Sequence, residues 1–324
     1  MQTVSIIIPV YNGGDRLSKC IESILVNTYQ DSEIFLINDG STDDSWRVID
    51  RYAKKYPDRI RVFDQENQGV ALARNIGMQY TTSKYIMFID QDDSISADYL
   101  ERFVTAIEKD NLDVVIGGYR RTTERGILFE MRLQDMLWAR YMIMAPWAKI
   151  YRRDFLVKNE IKFLDNNIGE DVYFNLQVIN LTKKITILDY CGYNWFYNEL
   201  SVSNTNQKTI KSGIRVMTLL DSTFDRLKQI GAVDKSEVEF YFMRYIVWYL
   251  LFVGRKSEYE PMVSEFIKTF DWLKTKFPNF LKNENLSLFH PKGETLRNRF
   301  VVSCFIALYK LGLLPFFFRI YSRG

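Results

Sequence analysis

Asp90, Asp92 and Asp93 fall within four consecutive positions of FIDQDDS (88–94), directly after the apolar run Tyr85 to Ile89. Carboxylates this close repel one another, and burying them without compensation costs desolvation free energy, so the pattern asks for a cation or for water. Asp-x-Asp after a hydrophobic strand suits a hard divalent ion, Mg2+ or Mn2+, which takes oxygen ligands and keeps room for phosphate oxygens and water. The ordinary alternative is a solvated turn capping a helix near Ala97, but Ser94, Ser96 and Asp98 already offer such caps.

A second acidic pair, Glu170 and Asp171, stands in GEDVYF (169–174) at the start of an apolar helical pattern. The helix dipole favours acids there whatever the function. His290 is the single histidine, which excludes schemes needing two and makes a carboxylate the natural general base. Near a helix N-terminus such a base is expected to stay ionised. In DGSTDDS (39–45), Asp39 can accept a hydrogen bond from a nucleobase N–H, or the segment can be an Asx-type turn leading into a capped helix.

These groups need elements to hold them. The runs VSIIIPV (4–10), EIFLIN (33–38), IRVFD (60–64) and KYIMFID (84–90) predict strands. Between them, apolar residues at helical spacing predict helices over about 15–28, around Trp46 to Tyr56, and over 71–80. This alternation predicts an α/β fold, a mostly parallel sheet with helices on both faces, binding ligands beyond the carboxyl ends of its strands. NDGS (38–41) and DQDD (90–93) stand at such ends. A helix at about 97–110, a run DVVIGG (113–118) and a helix over 169–181 follow. From Lys208 the pattern becomes long aromatic helical segments, which predicts a boundary near 205 between a domain of 1–205 and a helical region of 206–324.

The chain has 324 residues, 47% of them apolar, and a formal net charge of +3 that argues against nucleic acid as the main partner. Cys20, Cys191 and Cys304 are far apart and odd in number, suggesting neither a disulfide framework nor a zinc site. MQTVSIIIPVYN has no basic segment before its apolar run, so the cytosol is the default expectation.

PVYN (9–12), NDGSTD (38–43), NQGVALARNIG (67–77), YIMFIDQDD (85–93), WAKIYRR (147–153) and GEDVYF (169–174) resemble, in order, the motif set of glycosyltransferase family 2, the inverting enzymes of the GT-A fold. The resemblance covers residues 4 to about 205. It implies that Pro9, Tyr11 and Asp39 frame a uracil, that Arg74 and the turn Asn67 to Gly69 line the nucleotide, that Asp90 faces the ribose or metal-bound water, and that Gln91 belongs to the nucleotide-sugar site. It implies Asp92 as the metal ligand with Asp90 beside it, Asp93 one layer behind, Asp171 as the base with Glu170 next to it, and Trp147 and Lys149 bordering the donor sugar or acceptor. The family's usual paired aspartates before Gly-Ser are here Asn38 and Asp39. Some members add a histidine ligand after the base helix; His290 is too far downstream, so the metal is expected to rely on Asp92, diphosphate and water.

The resulting expectation is a Mn2+- or Mg2+-dependent inverting transferase, moving a hexose or N-acetylhexosamine from a UDP-sugar to a lipid-linked surface glycan. The alternatives are another donor such as a dTDP-sugar, or a catalytically idle sugar-nucleotide-binding scaffold subunit. The tail, 295–324, has Arg297, Arg299, Lys310, Arg319 and Arg323 and no acidic residue. Lys310, Gly312 and Pro315 argue against a spanning helix. Amphipathic segments lying on an anionic membrane at the cytoplasmic face are the expectation, with Phe316 to Phe318 among acyl chains; packing as core or as a homodimer interface is the alternative.

Overall fold

The four β-branched runs form strands β1 (Val4–Val10), β2 (Ser32–Asp39), β3 (Ile60–Gln65) and β4 (Tyr85–Phe88), all parallel, in the spatial order β3-β2-β1-β4. Every residue of β1 is buried, as a central strand requires. Helices α1 (Arg16–Leu25), α2 (Ser45–Lys55) and α3 (Val70–Tyr80) connect them. The chain steps outward from β1 to β3 and then crosses back to lay β4 on the other side of β1. The crevice at the carboxyl ends of β1 and β4 is therefore the topological switch point, where α/β sheets bind ligands.

The structure, a computed structural model, describes residues 3–197, 209–210 and 213–322. Strand β5 (Ser94–Ile95), helix α4 (Tyr99–Lys109), strands β6 (Val114–Thr123), β7 (Gly126–Met131) and β8 (Lys149–Arg152), helices α5 (Arg153–Lys158) and α6 (Glu170–Leu181), and strand β9 (Ile185–Phe196) complete the first unit. The nine-stranded sheet runs β3-β2-β1-β4-β8-β6-β9-β5, with β7 paired to β6. Its first half is parallel; its second half is mixed, because β8 runs antiparallel to both β4 and β6. The DVVIGG run is the start of β6, a ten-residue strand whose second part pairs with β7.

The chain forms two compact units, one of Met1–Asp135 with Ile143–Tyr197 and a second of Met136–Met142 with Asn198–Gly324. The boundary expected near 205 lies outside the described residues. The second unit is helical: α7 (Val216–Gln229), α8 (Ser236–Trp248) running into a π-helical turn (Tyr249–Val253), α9 (Tyr259–Lys276), α10 (Leu296–Lys310) and α11 (Leu314–Tyr321). Rings fill its core, with Phe242 on Trp272 and Phe270 on Phe305. Residues 136–142 join it through Trp138, whose Nε1 donates to Glu294 at 3.0 Å while Arg244 pairs with the same carboxylate at 2.6 Å. Among the described residues no helix is long and apolar enough to cross a membrane.

Candidate active site

Gln91 closes the switch point. Its Oε1 accepts from the Tyr11 amide at 2.9 Å and its Nε2 donates to the Tyr11 carbonyl at 2.8 Å, so one side chain ties the β4 end to the β1 loop. Between two aspartates, Gln91 thus holds the loop that presents exposed Tyr11 and buried Pro9. A Cβ on Gly13 would come within 2.6 Å of Gln91 Oε1, which is why a glycine stands there. The segment 41–45 secures the same loop: Ser41 Oγ accepts from Asn12 N (3.1 Å), Ser45 Oγ from Gly13 N (2.8 Å) and Asp43 Oδ2 from Gly14 N (3.1 Å).

Asp39, buried at the end of β2, accepts at Oδ1 from Gln65 Nε2 (2.7 Å) and Gln68 N (2.8 Å), and at Oδ2 from Gly69 N (2.8 Å). A carboxylate offers about four acceptor positions, so one remains at Oδ2. Gly69 supports this with φ 92°, ahead of α3, and Gly40, at φ 69°, lies so close to Asn67 that a Cβ would sit 2.8 Å from its amide. Asn38 is also buried and donates to Asp64 at 2.6 Å. The amide where the family usually has an acid therefore avoids two facing carboxylates.

Arg74 is the hub. Its side chain is 4% exposed; Nη2 meets Asp90 Oδ1 at 2.8 Å and Nη1 meets Asp171 Oδ1 at 2.7 Å, with Glu170 at 3.9 Å. Its placement follows from Gly77, one turn on, where a Cβ would lie 2.4 Å from Ile7 Cγ2, so α3 lies directly against β1. Burial opposes the guanidinium charge, but Asp171, Asp90 and Glu170 outweigh it and hold Arg74 protonated. Asp171 and Glu170 open α6 after Gly169, at φ 72°. Burial pushes the Asp171 carboxyl up from its ordinary value, Arg74 draws it down, and Glu170 and Asp90 push it up again. Burial and the neighbouring acids thus oppose the ionisation that Arg74 and the helix end favour, which raises the basicity of the carboxylate.

Asp92 takes no hydrogen bond from another residue's group among the described residues, and burial together with Asp90 pushes its carboxyl up to about 6. Asp93 is 2% exposed and lies behind it, accepting from Tyr193 Oη (2.5 Å) and the Phe196 amide (2.8 Å). Tyr193 Oη also accepts from Asp90 N at 3.2 Å. A cleft of ≈ 340 Å³ beside Asp92 is lined by Arg16, Lys19, Asp93, Glu124 and Phe196 among others. Among the described residues no three acidic, histidine or cysteine side chains converge as a ready metal cage.

Sequence reasoning missed Arg121. It is 8% exposed, its Cζ lies 3.3 Å from the Trp195 ring centre, and its Nη1 is buried without a hydrogen-bond partner. Its charge reaches Asp93 and Asp92, while burial lowers its pKa. A buried guanidinium with an open N–H next to the acidic cluster fits an anionic oxygen. The available signal was an arginine at an inward position of a strand.

Trp147 and Lys149, which the resemblance sets at the border of the donor sugar or acceptor, are both buried. Lys149 is fully buried and its Nζ donates to the carbonyls of Ile143 (2.8 Å) and Ala145 (2.5 Å). Burial draws that ammonium down to about 7, with Asp171 pulling the other way. Tyr151 Oη donates to Pro146 O (2.9 Å) and Asn175 Nδ2 to Met144 O (2.6 Å), so WAKIYRR and α6 together collect the carbonyls of one loop. Trp147, 6% exposed, stacks on Tyr193 at 4.6 Å.

A parallel half-sheet continued by a mixed half, flanked by helices and followed by a helical region, is the GT-A fold. The chain belongs to Glycosyl transferase family 2, whose profile matches residues 5–199. It is 31% identical over 230 residues to the uncharacterized glycosyltransferase YibD of Escherichia coli (strain K12), covering 64% of this chain and 65% of that protein. It is 28% identical over 203 residues to the poly(ribitol-phosphate) beta-glucosyltransferase of Bacillus spizizenii, covering 60% of this chain and 32% of that protein. The chain thus spans less than two thirds of the length of these relatives. Crystal structures of S. aureus TarS 1–349 with UDP and with UDP-GlcNAc match with a TM-score of 0.70, over 96% of this chain and 92% of that one, and at 18% identity share the fold.

Proposed function

We propose that the chain transfers a hexose or N-acetylhexosamine from a UDP-sugar to a hydroxyl of a lipid-linked cell-surface glycan, by one displacement that inverts the anomeric carbon. The observation that carries this is the Arg74 bridge, which joins Asp90 on the donor side to Asp171, the candidate base, through one buried guanidinium. Asp171 takes the acceptor hydroxyl proton as that oxygen bonds to the anomeric carbon. The bond to the diphosphate breaks on the opposite face, its electron pair leaving on the phosphate oxygen. Such a base contributes about 10²- to 10⁴-fold. An α-linked donor then gives a β-glycoside.

The donor set near the leaving group fits a divalent ion: oxygen ligands only, and an Asp92 carboxylate that burial and Asp90 leave in want of positive charge. Asp92, with Asp90 beside it, would hold Mg2+ or Mn2+, which supplies neutralisation of charge on the departing diphosphate. Arg121 and Arg16 supply fixed positive charge on the same side. The free acceptor position on Asp39 Oδ2 suits the ring N–H that uracil shares with thymine. Solved TarS complexes with UDP and UDP-GlcNAc, and a relative named for poly(ribitol-phosphate), support a uridine donor and a surface-polymer acceptor.

The test is a panel of UDP- and dTDP-sugars with Mn2+ or Mg2+ and candidate glycan acceptors, following release of nucleoside diphosphate and the anomeric configuration of the product. Turnover with a UDP-sugar and an inverted product is expected. Binding of UDP without turnover of any donor would instead identify an idle scaffold subunit.

A further inference from the structure

The last two helices carry apolar side chains on two faces, and only one face is used by the fold. On the inner face, Phe305 and Tyr309 of α10 pack on Phe270, and Phe318 of α11 packs on Phe266, both rings belonging to α9. Phe318 is fully buried, which corrects the expectation that Phe316 to Phe318 all lie outward. On the outer face Leu296, Phe300 and Leu311 are each more than half exposed, as are Phe316 and Ile320, with Leu313 at 44%. Exposed Cys304 and Ala307 fill the gap between Phe300 and Leu311. The steps 296, 300, 304, 307, 311 and 313, 316, 320 are helical, so each helix shows one continuous outer stripe. Since both inner faces pack on α9, both stripes face away from it.

The charged side chains that these two helices themselves carry are all basic. Arg297 and Lys310 are exposed beside it, Arg319 is exposed at its edge with its guanidinium 5.3 Å from the Tyr259 ring of α9, and no acidic residue follows Glu294. Glu294 is itself buried against Trp138 and Arg244, so it does not neutralise them. The core already has its inner face, and these side chains are costly to leave in water. A two-fold dimer built on the patch would set cations against cations, since the same surface appears on both copies.

We propose that α10 and α11 dock the second unit onto an anionic phospholipid surface, with Leu311, Phe316 and Ile320 entering the acyl boundary and Lys310, Arg297 and Arg319 among the headgroups. This is independent of the reading of the nucleotide site. The test is flotation of the purified full chain with vesicles of phosphatidylcholine alone and with increasing phosphatidylglycerol, at low and high salt. Binding should rise with phosphatidylglycerol and fall with salt. Lys310→Glu should lower partitioning about fivefold or more, as expected for the loss of about 1 kcal/mol per cation. Leu311→Ser with Phe316→Ser should abolish flotation, while the thermal midpoint and UDP binding stay those of the parent. Should the serine pair fail to fold, the charge variant, which touches no core residue, carries the test alone. The proposal is overturned by absence of flotation at every composition, by binding indifferent to lipid charge and salt, or by a dimer in light scattering that Leu311→Ser converts to monomer.

Discussion

Arg74 Nη1 lies 2.7 Å from Asp171 Oδ1 while its other terminal nitrogen lies 2.8 Å from Asp90, so 97 residues of chain separation close into one buried charge bridge. The base helix and the acidic strand end are thereby held in fixed register.

Removing Arg74 should hurt stability and turnover together. Arg74→Ala leaves Asp90, Glu170 and Asp171 facing one another, at a cost of about 3 kcal/mol, the lower end for a broken buried pair because the carboxylates keep some contact with water. Arg74→Lys should restore part of the stability but little of the rate, since an ammonium cannot span both carboxylates. Denaturant titration beside steady-state kinetics checks this; equal recovery of both would remove the bridge from catalysis.

Asp171 is predicted to set an acid limb. Burial raises its carboxyl above the ordinary carboxylate range, and a base acts only when deprotonated, so kcat/KM should fall as pH drops through a value above that range. Asp171→Asn should lower kcat by about 10²-fold or more and leave nucleotide affinity nearly intact. An unchanged pH profile in that variant would mean that another group is the base.

Asp92 governs metal dependence. Turnover should stop in excess EDTA and return with Mn2+ or Mg2+, and Asp92→Ala should also weaken UDP binding when metal is present. Asp93→Asn, whose carboxyl is spent on Tyr193 and Phe196, should show itself mainly in the thermal midpoint. Full activity in EDTA would sink the metal.

Gln91→Glu tests the clamp. It replaces a donor to the Tyr11 carbonyl with a repelling oxygen and adds a charge beside Asp90 and Asp92. A loss of about 1–3 kcal/mol in stability is expected, together with a raised KM for the nucleotide sugar and a smaller change in kcat.

The strands were legible because their signal is local: Val4–Val10 and Tyr85–Phe88 are apolar runs whatever surrounds them. The second half of the sheet was less so. In β6, glycines and arginines interrupt the apolar pattern, and only pairing with β8 and β9 makes it a strand. The surroundings of Lys149 were hidden for a related reason. The sequence shows a lysine two residues after a tryptophan, but not that its Nζ is taken up by two main-chain carbonyls.

By itself the sequence determined which groups are present and where the chain turns: carboxylates after strands, an acidic pair opening a helix, and one histidine too remote to help. Only the tertiary structure decided which of them meet. That Arg74 joins Asp90 to Asp171, that Gln91 grips Tyr11, and that the buried Arg121 stacks on Trp195 with Nη1 unpartnered are relations between residues far apart in the chain. Ionic and hydrogen-bond partnerships act over a few ångströms and depend on burial, and both distance and burial exist only once the chain has folded.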